Sequence, residues 1–468
     1  MTVPVDRPAV ELAALLRDRQ LSSVELTEAC LARIEAVNPA VNAVVTLVPE
    51  RARAAAAESD ARRAAGAPLG PLDGLPMLHK DSVETAGVRT TSGSPLFADH
   101  VPEADSLPAA RLRSAGTVLL GKTNLPEFGA GSQTFNPVFG PTRNPYAPAM
   151  TAGGSSGGSA AALACGMAPL ADGSDMGGSL RNPASFCGVV GLRPTPGRVP
   201  AWPASDPWDP LSVDGPLGRT VPDVALLLSA QAGPHPAAPL SLRQAGSNFL
   251  EIPQVDMHGL RIAFSPALGD LPVERSVAEV TERSVAVLAE IGCLVTREDP
   301  DLKGADEAFE TLRALAFERD LGELADEHPQ GLKQTIRWNI EQGRLLSGAD
   351  VARAQAGRAR LLERWHAFMT RHAYLVTVVS QLPPFPVELE WPAELAGRPM
   401  STYIEWMRSC SRISVTGSPA LAVPAGFTGE GLPVGIQIVG RPGDDAGVLA
   451  VGLAFEQAMG PRRPPAVR

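Results

Sequence analysis

Apolar positions recur at helical spacing near the N-terminus and at strand spacing further on. In "LSSVELTEACLARIEAVNP", Leu26, Cys30, Ile34 and Val37 fall on one helix face. Ser22, with Glu25 three residues later, has the form of a capping box, and Pro39 is expected to end the run. The spacing predicts helix over 9–37 and a second, very polar helix over 50–65, "ERARAAAAESDARRAA". Residues 1–66 therefore read as a helical cover. From residue 68, short apolar runs alternate with Gly/Pro turns: "GLPMLHKDS", "AGTVLLGKTN", "MAPLADGSD", "GVVGLRPTPGRVP". The Ala-rich "SSGGSAAALACGM" among them suits a helix, and the alternation predicts an α/β sheet. Residues 230–252 are rich in Pro, Ala, Gly and Ser and read as a long surface connection, and 275–375 as mostly helical. "GSPALAVPAGFTGEGLPVGIQIVGRP" reads as strand, Gly turn, strand, returning to the same sheet. The expectation is one domain over 1–468, with its core at 68–230, a variable and largely helical region at 240–400, and the return at 401–468.

Charge and composition narrow the class. The chain has 468 residues and a formal net charge of −10. That argues against nucleic acid and anionic membranes as partners, because both need a basic footprint. No apolar stretch is long enough for a membrane span. The first twenty residues mix acidic and basic side chains without the apolar run of a signal peptide. The five cysteines (Cys30, Cys165, Cys187, Cys293, Cys410) are scattered, with no CxxC pair. They read as reduced core residues of a cytoplasmic protein, not as a zinc site or a disulfide framework. Lysine occurs only at positions 80, 122, 303 and 333, so a lysine in a special setting stands out.

Two motif matches fail on physical grounds. Gly116 to Thr123 fits the spacing of a phosphate-binding loop, but its middle, "TVLL", is strand-like where backbone amides must wrap a phosphate. Lys122 is expected to be a turn residue after a buried strand. Gly153 to Gly157 fits G-x-S-x-G, but "NPYAPAMTA" before it is turn-like where a nucleophile elbow needs a strand. No later histidine (His235, His258, His328, His366, His372) has a setting that marks it as a base.

A third constellation fits better. "LHKDS" puts Lys80 at the end of an apolar run, "GGSSGGSA" puts Ser155 and Ser156 at a helix start, and "GSDMGGSLRNPASFCG" puts Ser179 after two glycines. A serine hydroxyl needs a base, and a lysine serves as one only when burial keeps it neutral. A second serine between them can shuttle the proton. Gly177 and Gly178 leave backbone amides bare for an oxyanion. A Gly/Ser linker would not run directly into a helix and then a second Gly-Ser cluster.

These stretches resemble the amidase signature family. The likeness rests on "GPLDGLPMLHKDSVETAGVRTTSGS", "LLGKTNLPEFGAGSQTFNPVFGPTRNP", "GGSSGGSAAALACG", "GSDMGGSLRNPASFCGVVGLRPTPGRVP" and the closing "GSPALAVPAGFTGEGLPVGIQIVGRP". It implies a single large α/β/α domain on a mixed, twisted sheet, and a Ser-cisSer-Lys triad without metal or organic cofactor. By motif, Ser179 would be the nucleophile, Ser155 the serine at a cis peptide and Lys80 the base. The backbone of Met176, Gly177, Gly178 and Ser179 would form the oxyanion hole, with Ser156, Asp175 and Arg181 supporting the loops. His79 departs from the family, where an aliphatic residue is usual, which bears on how dry Lys80 is. Phe128, Gly129 and Phe135 match a pocket-lining loop. Trp391, Tyr403, Trp406 and Met407 are candidates for an apolar wall.

The segment 382–421 resembles stand-alone bacterial amidases, including aryl acylamidases, oligoamide hydrolases and urethane-cleaving relatives. The implied substrate is a small apolar amide or anilide, or a carbamate, acted on by a monomer or homodimer. The rival is the glutamine-hydrolysing subunit of an aminoacyl-tRNA amidotransferase. A tyrosine-richer second half is expected there, whereas this chain has only Tyr146, Tyr374 and Tyr403.

Overall fold

The computed structural model describes residues 5–467. Thirteen strands are described: β1 (Val44–Leu47), β2 (Pro76–Lys80), β3 (Val118–Thr123), β4 (Leu170–Asp175), β5 (Val190–Arg193), β6 (Val213–Gly218), β7 (Arg261–Ser265), β8 (Leu294–Arg297), β9 (Tyr374–Val378), β10 (Glu394–Leu395), β11 (Arg398–Pro399), β12 (Ala420–Phe427) and β13 (Pro433–Val439). Eleven of them form one sheet in the order β1-β3-β2-β4-β6-β5-β12-β13-β9-β7-β8, while β10 and β11 make a separate small hairpin. The sheet is mixed. β2 runs parallel to β3 and β4, β7 runs parallel to β8 and β9, and antiparallel pairs join the two parallel groups.

The helices are α1 (Ala9–Arg17), α2 (Ser23–Val41), α3 (Pro49–Ala64), α4 (Leu107–Ser114), α5 (Gly157–Ala164), α6 (Arg181–Cys187), α7 (Val221–Gln231), α8 (Arg275–Glu290), α9 (Ala305–Glu327), α10 (Gln334–Leu345), α11 (Gly348–Arg371), α12 (Arg408–Ser414) and α13 (Asp445–Met459). Their apolar faces pack on the sheet. Leu26, Cys30, Ile34 and Val37 of α2 join one core cluster with Met77 and Leu78 of β2. A second cluster gathers β7, β9, β12 and β13 with α7, α8 and α13. The continuous burial of β2, parallel to both of its neighbours, suits a strand covered on both faces. Among the described residues no helix is long and apolar enough to cross a membrane.

The N-terminal expectation needs two corrections. Helix over 9–37 is broken at 18–22, where Arg19 takes a positive φ and the Ser22–Glu25 capping box starts a new helix. Pro39 does not end α2. It sits in the last turn, and the helix stops at Val41, where Asn42 adopts the left-handed conformation and donates its N–H to Asn38 O at 2.7 Å. Proline removes a backbone donor, which a final turn tolerates when the next residues still bond.

Candidate active site

The site forms where β2, β3 and β4, mutually parallel, release their C-terminal ends. Open α/β sheets place ligands at such ends, because the loops that follow diverge and leave a crevice. Lys80 is the last residue of β2 and is 1% exposed. Its Nζ lies 2.6 Å from Ser155 Oγ and 2.9 Å from Ser174 Oγ. Burial pushes the Lys80 amine down from 10.5 to about 8, against the opposing pull of Asp214, Asp175 and Asp172. Burial likewise raises Asp214 to about 6, with Asp172 adding to the rise and Lys80 opposing it.

Strand β4 supplies the second layer through its two-residue period. Asp172 and Ser174 point the same way. Asp172 accepts the Lys80 backbone N–H at 2.9 Å and stands 2.5 Å from His79 Nδ1. Thus His79 is occupied by a carboxylate, and its presence leaves the lysine dry. Gly173, between them, faces the opposite way, where a Cβ would lie 2.3 Å from Ser156 Oγ. Only glycine lets the Ser155–Ser156 loop press onto the strand.

That contact joins the two serine loops. Ser156 donates its N–H to Ser179 O at 3.1 Å, and the Gly154–Ser155 peptide is cis. Ser179 follows β4 in a turn closed by Asp175, whose carboxylate accepts from Gly178 N at 2.9 Å and Leu180 N at 3.2 Å. Gly178 has φ +118, and a Cβ there would lie 2.7 Å from Asn182 Nδ2 and 2.7 Å from Cys410 Cβ. Burial would raise the Asp175 carboxyl, yet the Arg181 and Arg193 guanidiniums hold it well below the usual carboxylate range. Arg181 donates to Asp175 at 3.0 and 2.9 Å and also bonds Gln437 and Ser414, tying the loop to β13 and α12.

The structure brings Lys80, Ser155, Ser156, Asp175 and the 176–179 turn together. Gly129 is close too, since a Cβ on it would be 3.5 Å from Ser155 Oγ. Phe128 stacks edge-on with Phe97, and Phe135 lies under the Lys333 amine at 5.1 Å. The expected aromatic wall is mostly core, with Tyr403, Trp406 and Met407 buried in one cluster. Tyr403 hydrogen-bonds to Arg313 and Asn339, and Trp391 packs at the margin of the third core cluster. Trp406, 1% exposed, stacks on Phe186 at 6.3 Å and meets Phe385 edge-on at 5.3 Å. Met407 is in the same cluster. An aromatic side chain without a polar partner fills core volume as readily as it lines a pocket.

Lys122 also departs from expectation. It lies within β3, fully buried, opposite His79, and its amine donates to Val83 O and, at 2.7 Å, to Thr85 Oγ1. The strand continues past Gly121 because its pairing with β2 continues to Lys80↔Thr123. Sequence reasoning missed Ser174, Asp172 and Asp214. The first two carried a signal, since they alternate with apolar or glycine positions in "LADGSD" just before the Ser179 turn.

Comparison with known proteins points to one family. A sequence profile of the amidase family matches residues 25–449. An acylamidase of Rhodococcus erythropolis is 38% identical over 452 residues, covering 96% of this chain and 94% of that one. A glutamyl-tRNA(Gln) amidotransferase subunit of Moorella thermoacetica is 37% identical over 476 residues, covering 96% of each. The crystal structure of a bacterial aryl acylamidase superposes with a TM-score of 0.90 at 29% identity, covering 97% of this chain and 96% of that one.

Proposed function

Because the chain belongs to the amidase signature family, hydrolases of carbon–nitrogen bonds in linear amides, we propose that it cleaves small apolar amides and anilides, and carbamates, through an acyl-enzyme on Ser179. The observation that carries this reading is the 2.6 Å approach of the buried Lys80 amine to Ser155 Oγ. An amine near 8 is neutral often enough at mildly alkaline pH to serve as a base.

Neutral Lys80 takes the Ser155 proton as Ser155 takes that of Ser179. Ser179 Oγ then bonds to the substrate carbonyl carbon. The amides of Met176, Gly177 and Ser179 receive the negative oxygen, an effect worth about 3 kcal/mol per well-placed donor. The Gly178 amide, expected among them, is held instead by the Asp175 carboxylate at 2.9 Å. The tetrahedral centre collapses, the carbon–nitrogen bond breaks, and the leaving nitrogen takes the proton back through Ser155. Water, deprotonated by the same relay, releases the acid and restores Ser179. A carbamate offers the same carbonyl and the same leaving nitrogen, with an alkoxy group in place of the acyl chain.

The test is amine release from a small aryl amide and the matching aryl carbamate, in the wild type and in Ser179→Ala. Turnover is expected to fall at least about 10⁴-fold in the variant, with the thermal melt nearly unchanged. Retained turnover in Ser179→Ala would sink the assignment. The glutamine-hydrolysing reading draws support from the 37% identity to the amidotransferase chain of Moorella thermoacetica. Ammonia release from glutamine, with both aryl substrates left intact, would favour it.

A further inference from the structure

Helix α9 carries Phe309 and Arg313 one turn apart, both facing the turn that holds Ser179. A Cβ on Gly177 would lie 2.8 Å from Phe309 Cζ, and Arg313 Nη1 lies 3.1 Å from Met176 Sδ. Arg313 is 4% exposed. The partners of its guanidinium are all neutral: Tyr403 Oη, which accepts from Nε at 3.2 Å and Nη2 at 2.6 Å, the Met176 thioether, and the Phe317 ring 4.4 Å below. Asn339 Nδ2 donates to the same Tyr403 oxygen at 2.7 Å, so that oxygen is committed.

The other arginines of the interior are treated differently. Arg181 and Arg193 share Asp175, Arg198 bonds Asp445, and Arg412 bonds Asp270 and Asp306. A buried guanidinium without an anion runs against the general cost of burying charge unpaired. A thioether is only a weak acceptor for Nη1 and sits on a flexible side chain that moves easily. The cluster also borders the loop across from Ser179. The space beside Gly131 is shared by Lys333 Nζ, 3.8 Å from a Cβ there, and by the Tyr403 ring at 3.9 Å. Next along that loop, Ser132 Oγ accepts from Asn182, three residues after Ser179. Lys333, unlike Arg313, has a carboxylate of its own, Glu390 at 3.5 Å.

We propose that Arg313 is a specificity residue that receives a carboxylate carried by the substrate, with the Met176 side chain yielding its place at Nη1. The guanidinium fork suits a carboxylate, and the pre-set Tyr403–Asn339 bracket keeps it oriented when the site is empty. The inference rests on the amide-hydrolysing reading above and deepens it: the preferred substrate would be an otherwise apolar amide with one acidic end, on its acyl or its amine part.

Three substrates test this. Butyryl para-nitroanilide is neutral, succinyl para-nitroanilide carries the acid on the acyl side, and N-butyryl para-aminobenzoate carries it on the amine side. The readout is the ratio of kcat/KM for each acid to that for the neutral amide, in the wild type, Arg313→Lys and Arg313→Met. Loss of a charge-assisted hydrogen bond predicts a drop of about ten- to a hundredfold in one ratio for Arg313→Met, carried mainly by KM, with Arg313→Lys between. The arm that moves locates the carboxylate. A residue that merely props up the loop would lower all three rates together and leave both ratios unchanged, and that result would overturn the proposal. Should the wild type cut none of the three, the hydrolase reading fails by itself. Calorimetric binding of succinyl para-nitroanilide and of N-butyryl para-aminobenzoate to Ser179→Ala, with and without Arg313→Met, then decides the carboxylate site: weaker binding in the double variant supports it, equal binding overturns it.

Discussion

Lys80 and Lys122 lie on neighbouring parallel strands, Lys80 opposite Thr123 and Lys122 opposite His79. Both are buried, and burial pushes both amines to about 8. Their surroundings differ. Lys80 faces two serine hydroxyls, groups that both donate and accept. Lys122 faces the Val83 carbonyl, which only accepts, and the Thr85 hydroxyl, whose own proton is committed to that same carbonyl at 2.9 Å. A neutral amine beside a hydroxyl can exchange a proton with it. An amine on a carbonyl can only donate, so Lys122 pins the turn that follows β2. A lowered lysine is therefore a common product of burial, and its neighbours decide whether it does chemistry.

The sharpest break of this comparison is Lys80→Met. Loss of a general base predicts a fall in turnover of about 10²–10⁴-fold with the melt little changed. Turnover of aryl amide beside a thermal scan checks it, and a Lys122→Met variant that loses as much activity would erase the distinction. Gly178→Ala comes next. Its Cβ would strike Asn182 and Cys410, and its φ of +118 disfavours any side chain. Displacing the turn by even an ångström predicts a loss of about 10²-fold, read as kcat on the same substrate.

The pH profile sharpens the same point. Raising the pH deprotonates Lys80, so kcat should climb about tenfold per unit below its midpoint and level off above about 8. A flat profile from pH 5 to 8 would count against Lys80 as the base. The smallest effect on activity belongs to Lys122→Met. Removing its donor costs two hydrogen bonds, about 1 kcal/mol each, while the Thr85 hydroxyl still donates to the Val83 carbonyl at 2.9 Å. A lower melting temperature with near-normal turnover per folded molecule is the expected result, measured by calorimetry and active-site titration.

The parts of the site legible in the chain are those that it builds from contiguous residues. The Ser155 loop, the Ser179 turn and Lys80 at the end of an apolar run each announce themselves within ten residues. So does the Ser22–Glu25 capping box, which both of its hydrogen bonds complete. Lys122 is not legible in this way. "GKT" after an apolar run looks like a strand end, and the pairing with β2 that carries the strand through it involves residues more than forty positions away. Trp406 is no more legible, because aromatic identity does not distinguish a pocket wall from the Phe186–Trp406–Phe385 stack. Arg313 raises no signal at all, since its meaning depends on Met176, 137 residues earlier, and Tyr403, 90 residues later.

By itself, then, the amino-acid sequence determined the loops and the periodic elements. Glycine sterics, capping hydrogen bonds and apolar spacing act over a few residues, and their outcome is written where they act. The tertiary structure alone decided which strands lie side by side, which buried amine meets hydroxyls and which meets a carbonyl, and which arginine is left without an anion. Those outcomes depend on the order of strands in a sheet and on the helix packed over each loop. They bring together groups tens to hundreds of residues apart, and burial of the whole set, not any local preference, fixes their charge.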